Sequence, residues 1–138
     1  MSALEAALGR VHDALTAAGV PYMVIGGIAV AHWGVPRATL DVDVTVWVDE
    51  PRLNEVVNGL CARFRPLVPD PLSFLRQTRV LPLDVDGVRA DVLFALLPYE
   101  RAAIDRAVLR EVADRPIRFC SAEDLILHKA ISERPKDL

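Results

Sequence analysis

Alternating hydrophobic and polar positions divide the chain into short segments with helical or strand periods. Near the N-terminus, apolar residues recur at steps of four and three and end before Gly19, which predicts an amphipathic helix closed by glycine. Residues 40–48 alternate strictly, with valine at every second position from Val42, which predicts a strand with one face in the core. Asp86-Gly87 separates two further alternating runs, and this dipeptide favours the type I′ turn of a β-hairpin.

The other boundaries follow from prolines, glycines and capping residues. Asp49 with Pro51 is typical of a helix start, and so is Ser121 with Asp124. Residues 64–74 are interrupted by prolines and are predicted as a loop with at most one short strand. The predicted helices are 4–18, 28–33, 51–61, 98–109 and the segment after Ser121; the predicted strands are 22–25, 40–48, 79–85, 88–96 and 116–120. This dense alternation predicts an α/β (α+β) fold, in which the hairpin makes the sheet mixed.

Composition limits the classes of function. With 138 residues, the chain is expected to form a single domain over residues 1–138. Its net charge of −3 argues against non-specific coating of nucleic acid, which needs a basic surface. No apolar run approaches the ~20 residues of a membrane span, and the N-terminus lacks the basic start of a signal peptide. Cys61 and Cys120 have no metal-ligand spacing and are predicted to be free thiols, so we expect a cytoplasmic protein.

Three acidic residues form the candidate site. Asp41 and Asp43 stand two residues apart on a predicted strand, so both side chains project from one face. Asp91 lies in the second arm of the hairpin and would join them if that arm lies beside the first strand. Carboxylates this close repel one another unless a cation lies between them. The pattern predicts a Mg²⁺ site, with two ions expected and Mn²⁺ as an alternative, in which phosphate oxygens complete the coordination.

A glycine turn precedes these acids. Gly26-Gly27 ends an apolar strand, and the helix predicted from Ile28 would offer free N–H groups to a triphosphate. Taken alone, a Gly-Gly pair is usually structural and an Asp-x-Asp strand is usually a solvated face. Asp84-Val85-Asp86 has the same spacing and is explained by the hairpin turn. The combination of glycine turn, paired acids and a third acid, in this order, favours a functional site.

These residues resemble the polymerase-beta-like nucleotidyltransferase superfamily, which has a Gly-Gly or Gly-Ser turn, an acid-hydrophobic-acid pair and a later third acid. Arg37-Ala38-Thr39 is similar to the residues before the acids in many small bacterial members. The run from Ser121 to Lys129, followed by Arg134-Pro135-Lys136-Asp137, is similar to the abortive-infection and toxin–antitoxin branch.

The resemblance implies a nucleotidyltransferase fold and further nucleotide contacts. It implies that Lys129 contacts the triphosphate and that Asp137 assists catalysis or its geometry. Arg37 and Thr39 are nucleotide-binding candidates, although a surface ion pair explains Arg37 equally well. Gly27 stands where many members have serine, so that hydroxyl contact to phosphate is missing. Relatives continue with more helix, so the chain is expected to lack a further C-terminal segment that shapes acceptor binding.

The leading hypothesis is a Mg²⁺-dependent nucleotidyltransferase that moves NMP from an NTP, such as ATP, to a hydroxyl acceptor. Asp41, Asp43 and Asp91 would hold the metal ions, and Asp91 would help to deprotonate the acceptor. The acceptor could be RNA such as tRNA, a protein or an antibiotic-like small molecule, and the resemblance favours a toxin with a cognate antitoxin. The rival hypothesis is a non-catalytic module that binds nucleotide or a partner, as an antitoxin or regulatory subunit does.

Overall fold

The computed structural model describes residues 2–25 and 41–133, with residues 128–133 described by their backbone alone. Within these ranges the chain forms five α-helices, one short 3₁₀-helix and seven strands. The helices are α1 (Ala3–Ala17), the 3₁₀-helix Glu50–Arg52, α2 (Leu53–Arg63), α3 (Pro71–Thr78), α4 (Pro98–Asp105) and α5 (Ala122–Glu133). The strands are β1 (Tyr22–Ile25), β2 (Val42–Val46), β3 (Arg65–Pro66), β4 (Val80–Val85), β5 (Val88–Phe94), β6 (Val108–Val112) and β7 (Arg115–Phe119).

The strands form one mixed sheet in the order β3-β4-β5-β2-β1-β7-β6. β2 runs parallel to β5 and β1 runs parallel to β7, whereas the other neighbouring pairs are antiparallel. Parallel neighbours need a long crossover connection, and α2 and α3 lie in the connection from β2 towards β5. The predicted α/β fold with a mixed sheet is therefore confirmed.

The two faces of the sheet carry different layers. On the first face, α1, α2 and α3 pack against alternate strand residues, among which Val42, Val44 and Val46 are fully buried. On the second face, Ala103 and Ile104 of α4 pack against Met23, Ile25 and Cys120. The polar positions of β2 point to this second face because strand side chains alternate. Asp43 therefore lies on the second face, and so does Asp91, its register partner in β5.

Local sequence signals explain the ends of several elements. Before α1, the Ser2 hydroxyl accepts a hydrogen bond from the Glu5 N–H (3.1 Å) and the Ser2 N–H donates to the Glu5 carboxylate (3.0 Å), forming a capping box. Gly19 follows α1 with φ +66°. At the hairpin, Asp86 and Gly87 both have positive φ, 52° and 90°, as a type I′ turn requires. The helix end at Gly19 and the hairpin at Asp86-Gly87 are confirmed.

Two regions differ from the prediction. The expected loop at 64–74 contains the start of α3, because Pro71 stands at the first helical position and the Asp70 carboxylate accepts from the Ser73 N–H (3.2 Å). The helix expected over 98–109 ends at Asp105, and Val108–Val112 forms an edge strand beside β7. Its middle residues are exposed, so β6 lacks the alternation that identifies a strand.

Several predicted features lie outside the described residues. The helix expected at 28–33 is one of them, and the strand expected at 40–48 is described as Val42–Val46. None of the helices in the described ranges is long and apolar enough to cross a membrane.

Candidate functional site

Asp43 and Asp91 face each other across two adjacent parallel strands. In the pairing of β2 with β5, Asp43 is the direct register partner of Asp91. Direct partners on neighbouring strands point to the same face, with backbones roughly 4.8 Å apart. Residues 48 positions apart in the sequence are thus brought together by the parallel register. The second arm of the hairpin therefore lies beside β2, which is the condition for Asp91 to join Asp43.

The acidic surroundings perturb Asp43. Burial raises the pKa of Asp43 to about 6, and the charges of Asp91 and Asp41 act in the same direction. Arg89 acts in the opposite direction on the pKa of Asp43 but does not outweigh them. Near neutral pH the Asp43 carboxylate is therefore held in an unfavourable environment. A bound cation would relieve it, since positive charge favours the ionised carboxylate.

Arg89 is the basic neighbour of this pair. Its Nε donates to both oxygens of the Asp91 carboxylate, at 3.0 and 3.3 Å. The Arg89 side chain is 52% exposed whereas that of Asp91 is 20% exposed. The guanidinium therefore approaches Asp91 from the solvent side. Arg89 was not among the predicted site residues, although its position two residues before Asp91 on a strand placed it on the same face.

Asp41 immediately precedes β2 and is exposed. Its charge acts on Asp43, so it belongs to the same electrostatic cluster. In the ranges that the structure describes, no three His, Cys, Asp or Glu side chains are grouped closely enough to hold a metal ion. The donor set of Asp43 and Asp91 still fits a hard divalent cation, because two carboxylates share one face and one has a raised pKa.

The predicted phosphate-binding residues fall mainly in undescribed parts of the chain. Ile25, which immediately precedes Gly26, is the register partner of Asp43 in β1. The last described residue before the predicted glycine turn is therefore level with the acidic pair. The residues of this prediction outside the described ranges are Gly26, Gly27, Arg37, Thr39 and Asp137. Lys129 lies in α5, where the backbone alone is described.

The start of α5 is held by hydrogen bonds near the end of β1, the end of the sheet where Asp43 lies. The Cys120 N–H donates to the Val24 carbonyl (3.0 Å), which ties the end of β7 to β1. The Ser121 hydroxyl accepts from the Asp124 N–H (3.1 Å) and donates to the Asp124 carboxylate (2.9 Å). Arg106 donates two hydrogen bonds to this carboxylate, at 3.0 and 2.7 Å, and its guanidinium is the main reason that the pKa of Asp124 is lowered. The predicted cap at Ser121 is confirmed, and Arg106 reinforces it.

The hydroxyl of Thr45, also on this face, is buried without a partner among the described residues. Thr45 is two residues after Asp43 and is fully buried, and its Oγ1 makes no hydrogen bond to any residue that the structure describes. Unpaired buried hydroxyls are uncommon in folded proteins because the lost hydration is not replaced. Nothing in the sequence identified Thr45, because a threonine in a strand is usually explained by its β propensity.

Comparison with known proteins identifies the fold. No protein-family model and no curated protein matches the sequence. A candidate nucleotidyltransferase from Thermotoga maritima is similar in structure, with a TM-score of 0.62 and 17% identity over 94% of this chain and 84% of that chain. The antibiotic-resistance factor ANT(2″)-Ia has a TM-score of 0.57 and 22% identity, over 97% of this chain and 75% of that one.

A third similar structure is the lincosamide antibiotic adenylyltransferase LnuA bound to lincomycin. It has a TM-score of 0.57 and 18% identity, over 89% of this chain and 84% of that chain. Likenesses at this level of identity establish the architecture. The chain has a nucleotidyltransferase fold, as the sequence predicted, while its assignment to the toxin–antitoxin branch stays a prediction.

Proposed function

We propose that this protein is a divalent-cation-dependent nucleotidyltransferase that moves a nucleoside monophosphate from a triphosphate to a hydroxyl group. The observation that carries the proposal is the register pairing of Asp43 with Asp91 on one face of a nucleotidyltransferase fold. Neither acid alone would be informative. Their juxtaposition, with the raised pKa of Asp43, supports a site that requires positive charge.

Asp43 and Asp91 would hold Mg²⁺ or Mn²⁺, with Asp41 joining from the chain before β2. When bound, the cation would neutralise charge on the phosphates and on the oxygens of an in-line displacement. Asp43 is the best-placed ligand because its charge is already destabilised by burial and by its acidic neighbours. Arg89 would have to share Asp91 with the cation, or turn outwards towards solvent, where half of its side chain already lies.

The reaction follows from this arrangement. The acceptor oxygen forms a bond to the α-phosphorus, the bond from that phosphorus to the bridging oxygen breaks, and pyrophosphate leaves. Asp91 accepts the hydroxyl proton and passes it to water. Where Arg89 shares Asp91 with the cation, its hydrogen bonds would also orient the Asp91 carboxylate. Catalysis would come from positioning and charge stabilisation.

Two classes of acceptor follow from different observations. The motifs near the C-terminus favour a toxin that modifies RNA or protein and is restrained by an antitoxin. The structural likeness to ANT(2″)-Ia and LnuA supports a small-molecule acceptor such as an antibiotic hydroxyl. The net charge of −3 also favours the small-molecule class over RNA, because RNA binding usually uses a basic surface.

The test is incubation with each α-³²P-labelled triphosphate and Mg²⁺, using total RNA, total protein, lincomycin or tobramycin as acceptors. We expect label on one acceptor class with the wild type and none with Asp43→Ala. Asp86→Asn is the matched control, because Asp86 is an exposed aspartate at the hairpin turn, paired with Arg10. Equal labelling by wild type and Asp43→Ala would contradict the metal assignment.

The non-catalytic alternative is separated by a binding measurement. A catalytic site should bind triphosphate more tightly when Mg²⁺ is added, and Asp43→Ala should abolish that gain. If triphosphate affinity does not change when Mg²⁺ is added, and no acceptor is labelled, the protein is a nucleotide-binding or partner-binding module.

A further inference from the structure

An open cavity lies on the second face of the sheet, beyond the acidic pair. It has a volume of about 300 Å³ and is formed by the start of β4, the end of β5 and the start of α4. This volume is at the lower end for small-molecule pockets, so it suits part of a ligand. Its lining includes Arg79, Val80, Leu93, Leu96, Leu97 and Glu100.

The strand register fixes the distance from the cavity to the acids. Leu93 follows Asp91 by two residues on β5, so both side chains lie on one face about 7 Å apart. Across the pairing of β4 with β5, Val80 is opposite Leu93 and Pro82 is opposite Asp91. The floor of the cavity is therefore continuous with the strand positions that carry the acidic pair.

The lining presents apolar surface to a ligand. Leu96 and Leu97 are 61% and 48% exposed, which is unusual for two consecutive leucines. The polar groups beside them are already engaged. The Glu100 carboxylate accepts from the N–H groups of Leu96 (3.3 Å) and Leu97 (3.1 Å), and the Arg79 Nε donates to the Phe94 carbonyl (3.2 Å).

The wall beside Arg79 is held in a fixed shape. Arg79 has φ +64°, a conformation that non-glycine residues rarely adopt. Its N–H donates to the Leu75 carbonyl (2.6 Å), and its carbonyl accepts from the Phe94 N–H (2.8 Å). These bonds join the end of α3 to the end of β5. The cavity is thus pre-formed, which lowers the entropic cost of binding.

The geometry of an in-line displacement indicates which substrate would bind in the cavity. In an in-line displacement the attacking oxygen and the leaving pyrophosphate lie on opposite sides of the α-phosphorus. Ile25 of β1, which precedes the glycine turn predicted to hold the triphosphate, pairs with Asp43 on the side away from Asp91. The cavity lies on the other side of the pair, over β5 and β4 and further towards the C-terminal end of β5. With the triphosphate at the predicted glycine turn, an acceptor would approach from this side.

We propose that this cavity binds the apolar part of a small-molecule acceptor whose hydroxyl group reaches Asp91. The inference rests on the proposed nucleotidyl transfer and names the class of its substrate, an uncharged molecule with both a hydroxyl and an apolar group. A polycation or a nucleic acid strand would need a strongly charged lining, whereas here one arginine and one glutamate are both engaged within the protein.

The probes are the primary alkanols from ethanol to 1-hexanol, used with Mg²⁺ and labelled triphosphate. We expect kcat/KM for alkyl nucleotide formation to rise about fourfold per methylene, as burial of each methylene predicts. In ¹H–¹⁵N NMR spectra, 1-hexanol should shift the amide signals of Leu93, Leu96 and Leu97. Leu96→Asn/Leu97→Asn should lose the chain-length dependence and these shifts, and asparagine at position 97 suits the N-cap of α4.

Leu109→Asn is the matched control, because Leu109 is 52% exposed on the edge strand β6, away from the cavity. It should behave as the wild type does. Unshifted cavity amides, or no dependence of transfer on alkanol length in a protein that binds Mg²⁺-triphosphate, would overturn the acceptor assignment. Failure of the wild type to bind Mg²⁺-triphosphate would instead refute the proposed transferase, whatever 1-hexanol does.

Discussion

Replacing Asp43 with asparagine should stabilise the protein, and the gain should depend on pH. Burial and the neighbouring charges of Asp91 and Asp41 raise the pKa of Asp43 from 3.8 to about 6. Each tenfold change in a protonation constant corresponds to about 1.4 kcal/mol. The ionised Asp43 carboxylate therefore costs the folded state at most about 3 kcal/mol, an upper bound because water screens a half-buried group.

The sign follows from proton binding in the two states. Between pH 3.8 and about 6, the folded protein holds a proton on Asp43 that the unfolded chain has lost, so wild-type stability falls as pH rises through this window. Below pH 3.8 both states are protonated and Asp43→Asn should match the wild type. Above pH 7 the variant should show its full gain, because asparagine carries no charge.

The assay is urea denaturation of both proteins at pH 4, 5, 6, 7 and 8. The slope of the free energy of unfolding against urea should be the same for both proteins, so that only stability differs. Asp86→Asn serves as the control for loss of one negative charge, since the Asp86 side chain is 68% exposed. Added Mg²⁺ should narrow the difference above pH 7 by stabilising the wild type alone. A variant that is less stable at pH 8, or a difference that is constant with pH, would refute the reasoning.

Three further predictions concern neighbouring groups. Thr45→Val should raise the free energy of unfolding by about 1 kcal/mol, because the Thr45 hydroxyl is buried without a partner in the described part of the chain; a loss of stability would contradict this. Ser121→Ala should lower the free energy of unfolding by about 1 kcal/mol, whereas Ser121→Asn should retain the cap of α5 and its stability. Equal stability of the two variants would show that the cap is not needed. Arg89→Ala should tighten Mn²⁺ binding several-fold in calorimetry at low ionic strength, because it removes positive charge beside Asp91. Arg65→Ala is the control and should leave Mn²⁺ affinity unchanged, because Arg65 pairs with Asp84 on the surface. Unchanged Mn²⁺ affinity in Arg89→Ala would argue against binding at Asp91.

The sequence by itself determined the features that depend on local geometry. The helical period of α1, the strand period of β2 and the positive φ of the Asp86-Gly87 turn each follow from a few consecutive residues. The same local rule placed Asp43 on the strand face opposite the buried valines, whereas Asp41, predicted on the same strand, lies just before β2. The sequence did not predict edge strand β6, because its exposed residues carry no hydrophobic alternation. It did not predict α3, because Pro71, whose residue type is typical of a loop, begins that helix.

Only the tertiary structure decided which distant residues meet. The partners of Asp43 depend on the parallel register of β2 with β5, which is set by the burial of both strands within the whole sheet and not by either strand alone. That register adds the charge of Asp91 to the burial that raises the pKa of Asp43. The separate pairing of β4 with β5 places Val80 opposite Leu93 in the cavity that lies beside the acids. Residue type and local period can nominate such groups, but their mutual distances arise from long-range packing.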